Sequence, residues 1–343
     1  MAEVRRPWYP PSLDAVAARA RVSKATASRV LSPPRQGGTP AAAAEVARAV
    51  EQLGYHRGGG ERPRLLVLAT DITRTGYWLT LSGVLSACQD LDTDLSVQVL
   101  TGAASRWRDS VLGPQQSRID GVVVLEFDSP SAQVLSRMPE DLPVAVAGGY
   151  PSADAGHLPR AWIDDRAGAV LAVEYLLSLG HERIAYLGVP SAGHPDPRLA
   201  GWRAIMTGAG RETPPPLGTG WGPETGMRAA QAAARSGVSA VLCGNDDLAI
   251  GLVTGLRAVG LEVPGDVSVV GMDDHPHAVA TSPALTTVRL DFARVGEMAT
   301  RLALGVQKVP GPQGIEVPVD LVVRASTAPP PADRSADGVP AAR

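Results

Sequence analysis

From residue 65 onward, short apolar runs of four to six residues alternate with amphipathic stretches of helical period, and this alternation limits the folds open to the chain. The runs are Leu65–Ala69, Leu95–Leu100, Gly121–Leu125, Val144–Ala147, Ile184–Leu187, Ala240–Cys243 and Val267–Gly271, with later ones near Thr287–Leu290 and Val317–Val322. Between them lie helical segments such as Gly168–Leu179, stopped by Gly180, and Asp246–Val259, stopped by Gly260. Strands that carry no polar alternation are buried on both faces, and helices between them are the crossovers of a parallel sheet. The pattern therefore predicts an α/β core of doubly wound parallel sheets.

Upstream the texture differs. Gly58-Gly59-Gly60 and Pro63 break the chain, and three consecutive glycines disfavour helix by about 1 kcal/mol each. Before that break, Leu13, Val16, Ala17 and Ala20 share one helical face, Ser23 can cap a second helix running to Leu31, and Pro40–Leu53 forms a third with Val46, Val50 and Leu53 on one side. Two short helices around a tight turn make either a helix-turn-helix or an Ala-rich surface hairpin. Residues 1–62 hold ten Lys/Arg against five Asp/Glu, a net +5 on a chain whose total is −3. A basic head on an acidic body attracts phosphate through the head alone. On the second helix Lys24, Ala25, Ser28 and Arg29 are left on the outer face. A guanidinium pairs bidentately with guanine, which assigns Arg29 to a base edge and Ser23, Lys24 and Thr26 to phosphates.

Other classes find little support. The N-terminus lacks the apolar run of a signal peptide, and no 18-residue apolar span exists. Cys88 and Cys243 are far apart and suggest neither a disulfide framework nor a CxxC site. A reducing cytoplasm fits, with no membrane partner. No GxxxxGK[ST], strand-linked GxGxxG, HExxH or GxSxG pattern occurs, so no enzyme activity and no cofactor are expected. The cluster Asp273-Asp274-His275-Pro276-His277 holds metal-ligand residue types but no third partner in view, and reads as a solvated loop.

The run Val22-Ser-Lys-Ala-Thr-Ala-Ser-Arg-Val-Leu31, followed by Val50-Glu-Gln-Leu-Gly-Tyr55, resembles the head of the lac repressor family of transcription regulators. Body landmarks follow in the family's order: Ile163-Asp-Asp-Arg-Ala-Gly-Ala169, Leu179-Gly-His-Glu-Arg-Ile-Ala-Tyr-Leu-Gly188, Gly244-Asn-Asp-Asp-Leu-Ala-Ile-Gly251, Val263-Pro-Gly-Asp-Val-Ser-Val-Val-Gly-Met-Asp-Asp274 and Pro283-Ala-Leu-Thr-Thr-Val288. The resemblance implies a core like the periplasmic sugar-binding proteins, two doubly wound parallel-sheet lobes with the ligand between them. It divides the chain into a helix-turn-helix domain (1–57), a Gly-rich linker (58–63), a two-lobed effector-binding and dimerisation core (64–328) and a disordered tail (329–343). Lobe 1 takes about 64–161 and 289–318, and lobe 2 about 162–288 and 319–328.

By position, the resemblance nominates Asp71, Asp165, Arg198, Trp221, Asn245 and Asp273 as effector contacts, with Tyr77 and Trp78 as aromatics at the cleft mouth. Carboxylates, an amide and a guanidinium exchange hydrogen bonds with sugar hydroxyls, while an aromatic face covers the C–H side. The Arg198-Leu-Ala-Gly-Trp202 run and Trp221 resemble sugar-binding members; Trp202 itself reads as packing, Asp164 and Asp165 can cap the helix from Gly168, and Asp246 and Asp247 the helix that begins there, with Asp246 equally open to ligand contact. Four departures stand out: Ala15 for Asp, Arg21 for the Gly of the turn, Gly148-Gly149 for Asp-Arg, and Asp165 for Asn. A fifth is larger: the hinge helix that usually follows the head is missing, since only residues 56–64 separate Tyr55 from the first strand. The implied function is that of a homodimeric repressor that binds an inverted-repeat operator in double-stranded DNA and responds to a sugar or sugar-like effector. The competing reading is a cytoplasmic sugar-binding protein with a degenerate head.

Overall fold

The computed structural model describes residues 13–31, 39–53, 62–101, 119–135, 138, 142–149, 158–190, 196–309, 311 and 314–331. In the head, α1 (Leu13–Arg19), α2 (Lys24–Leu31) and α3 (Pro40–Leu53) enclose a small core of Val16, Ala17, Ala20, Ala27, Val46 and Ala49. Alanine at the contacts lets such short helices approach closely. Arg19 Nε donates to Gln52 Oε1 at 3.0 Å, tying α1 to α3. The linker at 58–61, including its three glycines, lies outside the described residues.

The core holds two sheets. In lobe 1, β1 (Arg64–Ala69), β2 (Asp94–Val99), β3 (Gly121–Glu126), β4 (Val144–Gly148), β5 (Arg160–Ile163) and β10 (Ile315–Val317) run in the order β10-β5-β4-β3-β1-β2, all pairs parallel. In lobe 2, β6 (Ile184–Leu187), β7 (Ala240–Cys243), β8 (Ser268–Asp273), β9 (Thr286–Leu290) and β11 (Val319–Val322) run in the order β11-β9-β8-β7-β6. Crossover helices are α4 (Thr75–Asp90), α5 (Ser129–Leu135), α6 (Asp165–Ser178), α7 (Pro197–Gly208), α8 (Pro223–Ser236), α9 (Asp246–Ala258) and α10 (Phe292–Ala303). The last packs against α4 of lobe 1. Tight helix packing needs glycine in lobe 2, where α8 lies on α9. A Cβ on Gly226 would come within 2.1 Å of the Leu248 carbonyl oxygen, and one on Gly251 within 2.0 Å of that of Pro223.

Three features depart from the expected layout. β5 is a strand that no apolar run announced, because it is four residues long and begins with a buried Arg160 whose charge is met by Glu126. The single late run Val317–Val322 is two strands, broken at Pro318 and lying in different sheets. Since β10 runs toward the cleft, the chain enters lobe 2 from the cleft side, and β11 pairs antiparallel with β9 instead of continuing a parallel sheet. The crossings between lobes therefore fall at Asp164, Asp291 and Pro318, a few residues beyond the boundaries at 161 and 288 that the runs suggested.

Ordered chain also continues past 328 to Pro331. His181 Nε2 lies 2.9 Å from the Ala328 carbonyl, and the Ala328 amide donates to Ser268 Oγ at 3.0 Å, which fastens this end to lobe 2. The remainder of the expected tail, 332–343, lies outside the described residues.

Candidate functional site

In the head, Arg21 occupies the turn with φ 54°, the left-handed conformation that glycine adopts without steric cost. The Thr26 amide donates to Ser23 Oγ at 3.1 Å, so Ser23 caps α2, and the two hydroxyls lie 2.8 Å apart. Lys24 Nζ is 2.8 Å from Asp14 Oδ2, and both side chains are largely exposed. Arg29 is exposed, with Nε donating to the Ala25 carbonyl at 3.3 Å. Lys24, Ala25 and Arg29 thus share the open surface of α2, while Thr26 and Ser28 are half-buried.

The second site lies where the strands of lobe 2 end. Asp-Pro at 196–197 starts α7, Asp196 accepting the Arg198 amide at 2.9 Å, and this cap aims Arg198 from the first helical turn into the crevice. Its Nη1 donates to the Gly244 carbonyl, while Nη2 lies 3.4 Å from Asp165 Oδ2 and 3.9 Å from Asp273 Oδ1. Asp165 opens α6 after the Asp164 cap, and Asp273 ends β8 with φ 117°. Tyr186 Oη donates to Asp196 Oδ2 at 2.7 Å and walls the group from below. Within this group Arg198 Nε and Asp273 Oδ1 are buried and find no hydrogen-bond partner among the described residues.

Electrostatics follow from burial. Desolvation pushes the Asp273 carboxyl well above its ordinary range; Arg198 offsets only part of that, and Asp246, Asp165 and Asp247 add to it. Burial raises Asp165 as well, against the pull of Arg198. For Arg198 burial works against the charge, yet Asp165 and Asp273 outweigh it and hold the guanidinium above its ordinary value.

Asp246 is not the cap of its helix. The cap of α9 is Asn245, whose Oδ1 accepts the Leu248 amide at 2.8 Å and whose Nδ2 donates to the Trp221 carbonyl at 3.0 Å. The fold thereby engages one donor and one acceptor of that amide, and a second N–H and a second lone pair are left for a ligand. Asp246 is instead buried, accepting Thr287 Oγ1 and the His275 amide, each at 2.6 Å. Burial pushes its carboxyl up to about 7 despite those two bonds.

On the lobe 1 side, Asp71 accepts the Thr73 amide and Thr73 Oγ1, each at 2.7 Å, and lies 2.9 Å from Arg74 Nε. Arg74 in turn covers the Trp221 ring at 4.3 Å. Thr75 Oγ1 donates to Asp247 Oδ2 at 3.4 Å, and Trp78 meets His275 edge-on at 5.9 Å. The first turn of α4 thus touches lobe 2 at three places, a role that no sequence motif marked. Tyr77 is corrected: it is buried, edge-on to Phe127 at 5.1 Å with Oη 3.0 Å from Thr70 Oγ1, and belongs to the core below the mouth. Trp202 packs on Tyr186, as its position in the sequence suggested. The rings of His275 and His277 lie 4.6 Å apart, and no group of three metal-ligand side chains forms among the described residues. Nor is any described helix long and apolar enough to cross a membrane.

A two-lobed crevice of this kind defines a ligand-binding core, and residues 173–327 match the family model described as a periplasmic binding protein-like domain. Similarity extends over the head. The HTH-type transcriptional regulator MalR of Streptomyces coelicolor is 32% identical over 93% of this chain and 97% of its own length. The ribose operon repressor of Escherichia coli is 30% identical over 83% of this chain and 89% of its own. Among solved structures, the lac repressor dimer bound to operator and the anti-inducer ONPF is 25% identical, with a TM-score of 0.66 over 93% of this chain and 99% of that one. The complex of the transcriptional regulator CelR with cellobiose is 26% identical, with a TM-score of 0.64 over 92% of this chain and 99% of that one. The chain belongs to the lac repressor family of transcription regulators. Its relatives are regulators rather than enzymes, and because the likeness includes the head, it favours a regulator over a sugar-binding protein with a degenerate head.

Proposed function

We propose that this protein is a homodimeric, sequence-specific DNA-binding repressor whose operator affinity is set by a sugar or sugar-like molecule held between its lobes. The observation that carries the reading is the pair of buried, unmatched polar atoms, Arg198 Nε and Asp273 Oδ1, at the strand ends of a chain that also bears a helix-turn-helix. A donor and an acceptor left unsatisfied in a crevice are stabilised by a ligand that supplies hydroxyls to both. Trp221 offers a ring at the same mouth, and the solved relatives include one bound to cellobiose and one bound to operator.

Regulation requires that ligand bind one lobe arrangement more tightly than another. Contacts of Arg74 with Trp221, Thr75 with Asp247, and Trp78 with His275 are what such a ligand would rearrange. On DNA, Arg29 reads a base edge, and Lys24 reaches phosphate by exchanging Asp14 for it.

Fragments carrying an inverted repeat from upstream of the gene test this directly. They are shifted by the protein, with affinity falling steeply as salt rises, and one sugar of a panel alters the shift. Arg29→Ala loses sequence preference, whereas Lys24→Ala weakens all DNA alike. Binding that is absent or indifferent to salt refutes the DNA reading; Trp221→Ala with an undiminished sugar response refutes the placement of the effector.

A further inference from the structure

The charges around Arg198 do not balance. Asp165 and Asp273 both turn to this one guanidinium, which also serves the Gly244 carbonyl. The neighbouring cations are already matched: Arg74 to Asp71, and Arg289 and Arg324 to Asp274. Asp196 and Asp246 have hydrogen-bond donors of their own. Asp273, whose side chain is only 6% exposed, has an oxygen that accepts none among the described residues. Asp165 Oδ2 faces the bare backbone of Gly149, lying 3.7 Å from where a Cβ there would stand, so no side chain at 149 covers it. Neither 150–157 nor 191–195, the segments that follow the ends of β4 and β6, contains a Lys or Arg in sequence, each holding a single histidine, His157 and His194.

Resting on the reading of the cleft as a sugar site, we propose that its effector carries a protonated amine, an amino sugar or amino polyol whose ammonium is received by the Asp165 and Asp273 carboxylates beside Arg198. A second cation matches the second carboxylate, and its three N–H donors serve the Asp273 oxygen that no described residue meets and the face of Asp165 turned to Gly149. Burial holds both carboxyls toward the neutral form, and an ammonium supplies the counter-charge that lets the second one ionise; a neutral hydroxyl supplies none, and an anionic sugar opposes it.

The test uses the full-length protein and calorimetry at pH 6, where the amines are protonated, with matched pairs: glucosamine and glucose, galactosamine and galactose, mannosamine and mannose. At least one amine binds about tenfold or more tightly than its hydroxyl counterpart, and its N-acetyl derivative, which has lost the charge, forfeits the advantage. Asp165→Asn, which leaves the Asp164 cap in place, brings the two affinities within about threefold of each other. If a neutral sugar binds as tightly as its amine, the cationic effector is refuted while the sugar reading stands. If neither member of any pair binds, both fall.

Discussion

Replacing Asp246 by Asn isolates the energetic consequence of a single buried carboxyl. Asp246 is 1% exposed, and its carboxyl is raised from 3.8 to about 7 in the folded chain. A carboxyl raised on folding makes a contribution that is complete below its unfolded value and is lost as pH climbs through the folded one. Wild-type stability therefore declines between about pH 4 and 7. A difference of about 3 units at ~1.36 kcal/mol each amounts to roughly 4 kcal/mol once both states are ionised. Asn can reproduce the contacts of the protonated acid: its carbonyl accepts the His275 amide, and its NH2 donates to Thr287 Oγ1. The Thr287 hydroxyl then turns toward the Val288 carbonyl, 3.5 Å away. Urea denaturation at pH 5 and pH 8 measures the result. Asp246→Asn gains on wild type as pH rises, from about 1.5 kcal/mol at pH 5 to about 4 kcal/mol at pH 8. A gap that is the same at both pH values refutes the assignment, since it means that Asp246 ionises in the folded state as readily as in the unfolded one.

Arg198→Met removes the cation between two buried carboxylates; the cost is about 3–5 kcal/mol at neutral pH, partly recovered on acidification, as read from chemical denaturation. Gly226→Ala or Gly251→Ala drives a methyl into a backbone carbonyl across the α8–α9 contact, and lowers stability in a thermal melt by about 1–3 kcal/mol despite the better helix propensity of alanine. Asp14→Ala removes the pairing that Lys24 must give up on DNA, which strengthens binding to any DNA, whereas Lys24→Ala lowers the slope of the salt dependence by about one unit in a titration. A slope unchanged from wild type means that Lys24 does not reach the backbone.

The strands were legible wherever burial on both faces left a continuous apolar run, as in β1, β3, β4 and β7. β5 escaped because four residues starting with an arginine make no such run, and its membership of the sheet depends on Glu126, 34 positions earlier. β10 and β11 merged into one for the opposite reason, both being apolar while the boundary is a single proline. At the site, Arg198, Asp165 and Asp273 come together from α7, α6 and β8 as the resemblance implied. Asn245 caps α9 and Tyr77 lies in the core, roles that the sequence did not separate, since a polar residue where a strand meets a helix serves equally as a cap or a ligand contact, and an aromatic near a cleft serves equally as core or lid. Only the partners distinguish these cases. The raised carboxyl of Asp246 had no local signature, because its burial is created by the loop after β8 and by β9.

The division of lobe 1 between distant parts of the chain also governs how the protein emerges during synthesis. Residues for the head appear first, and its three helices are contiguous. The sheet of lobe 1, by contrast, has β1 to β5 translated by Ile163, yet waits for α10, which begins at Phe292, and for the edge strand that starts at Ile315. At about 5–20 residues per second, that interval leaves one apolar face of the sheet uncovered for roughly 6–25 s on the ribosome. The nascent chain is thus a DNA-reading module well before it has a complete pocket with which to sense anything.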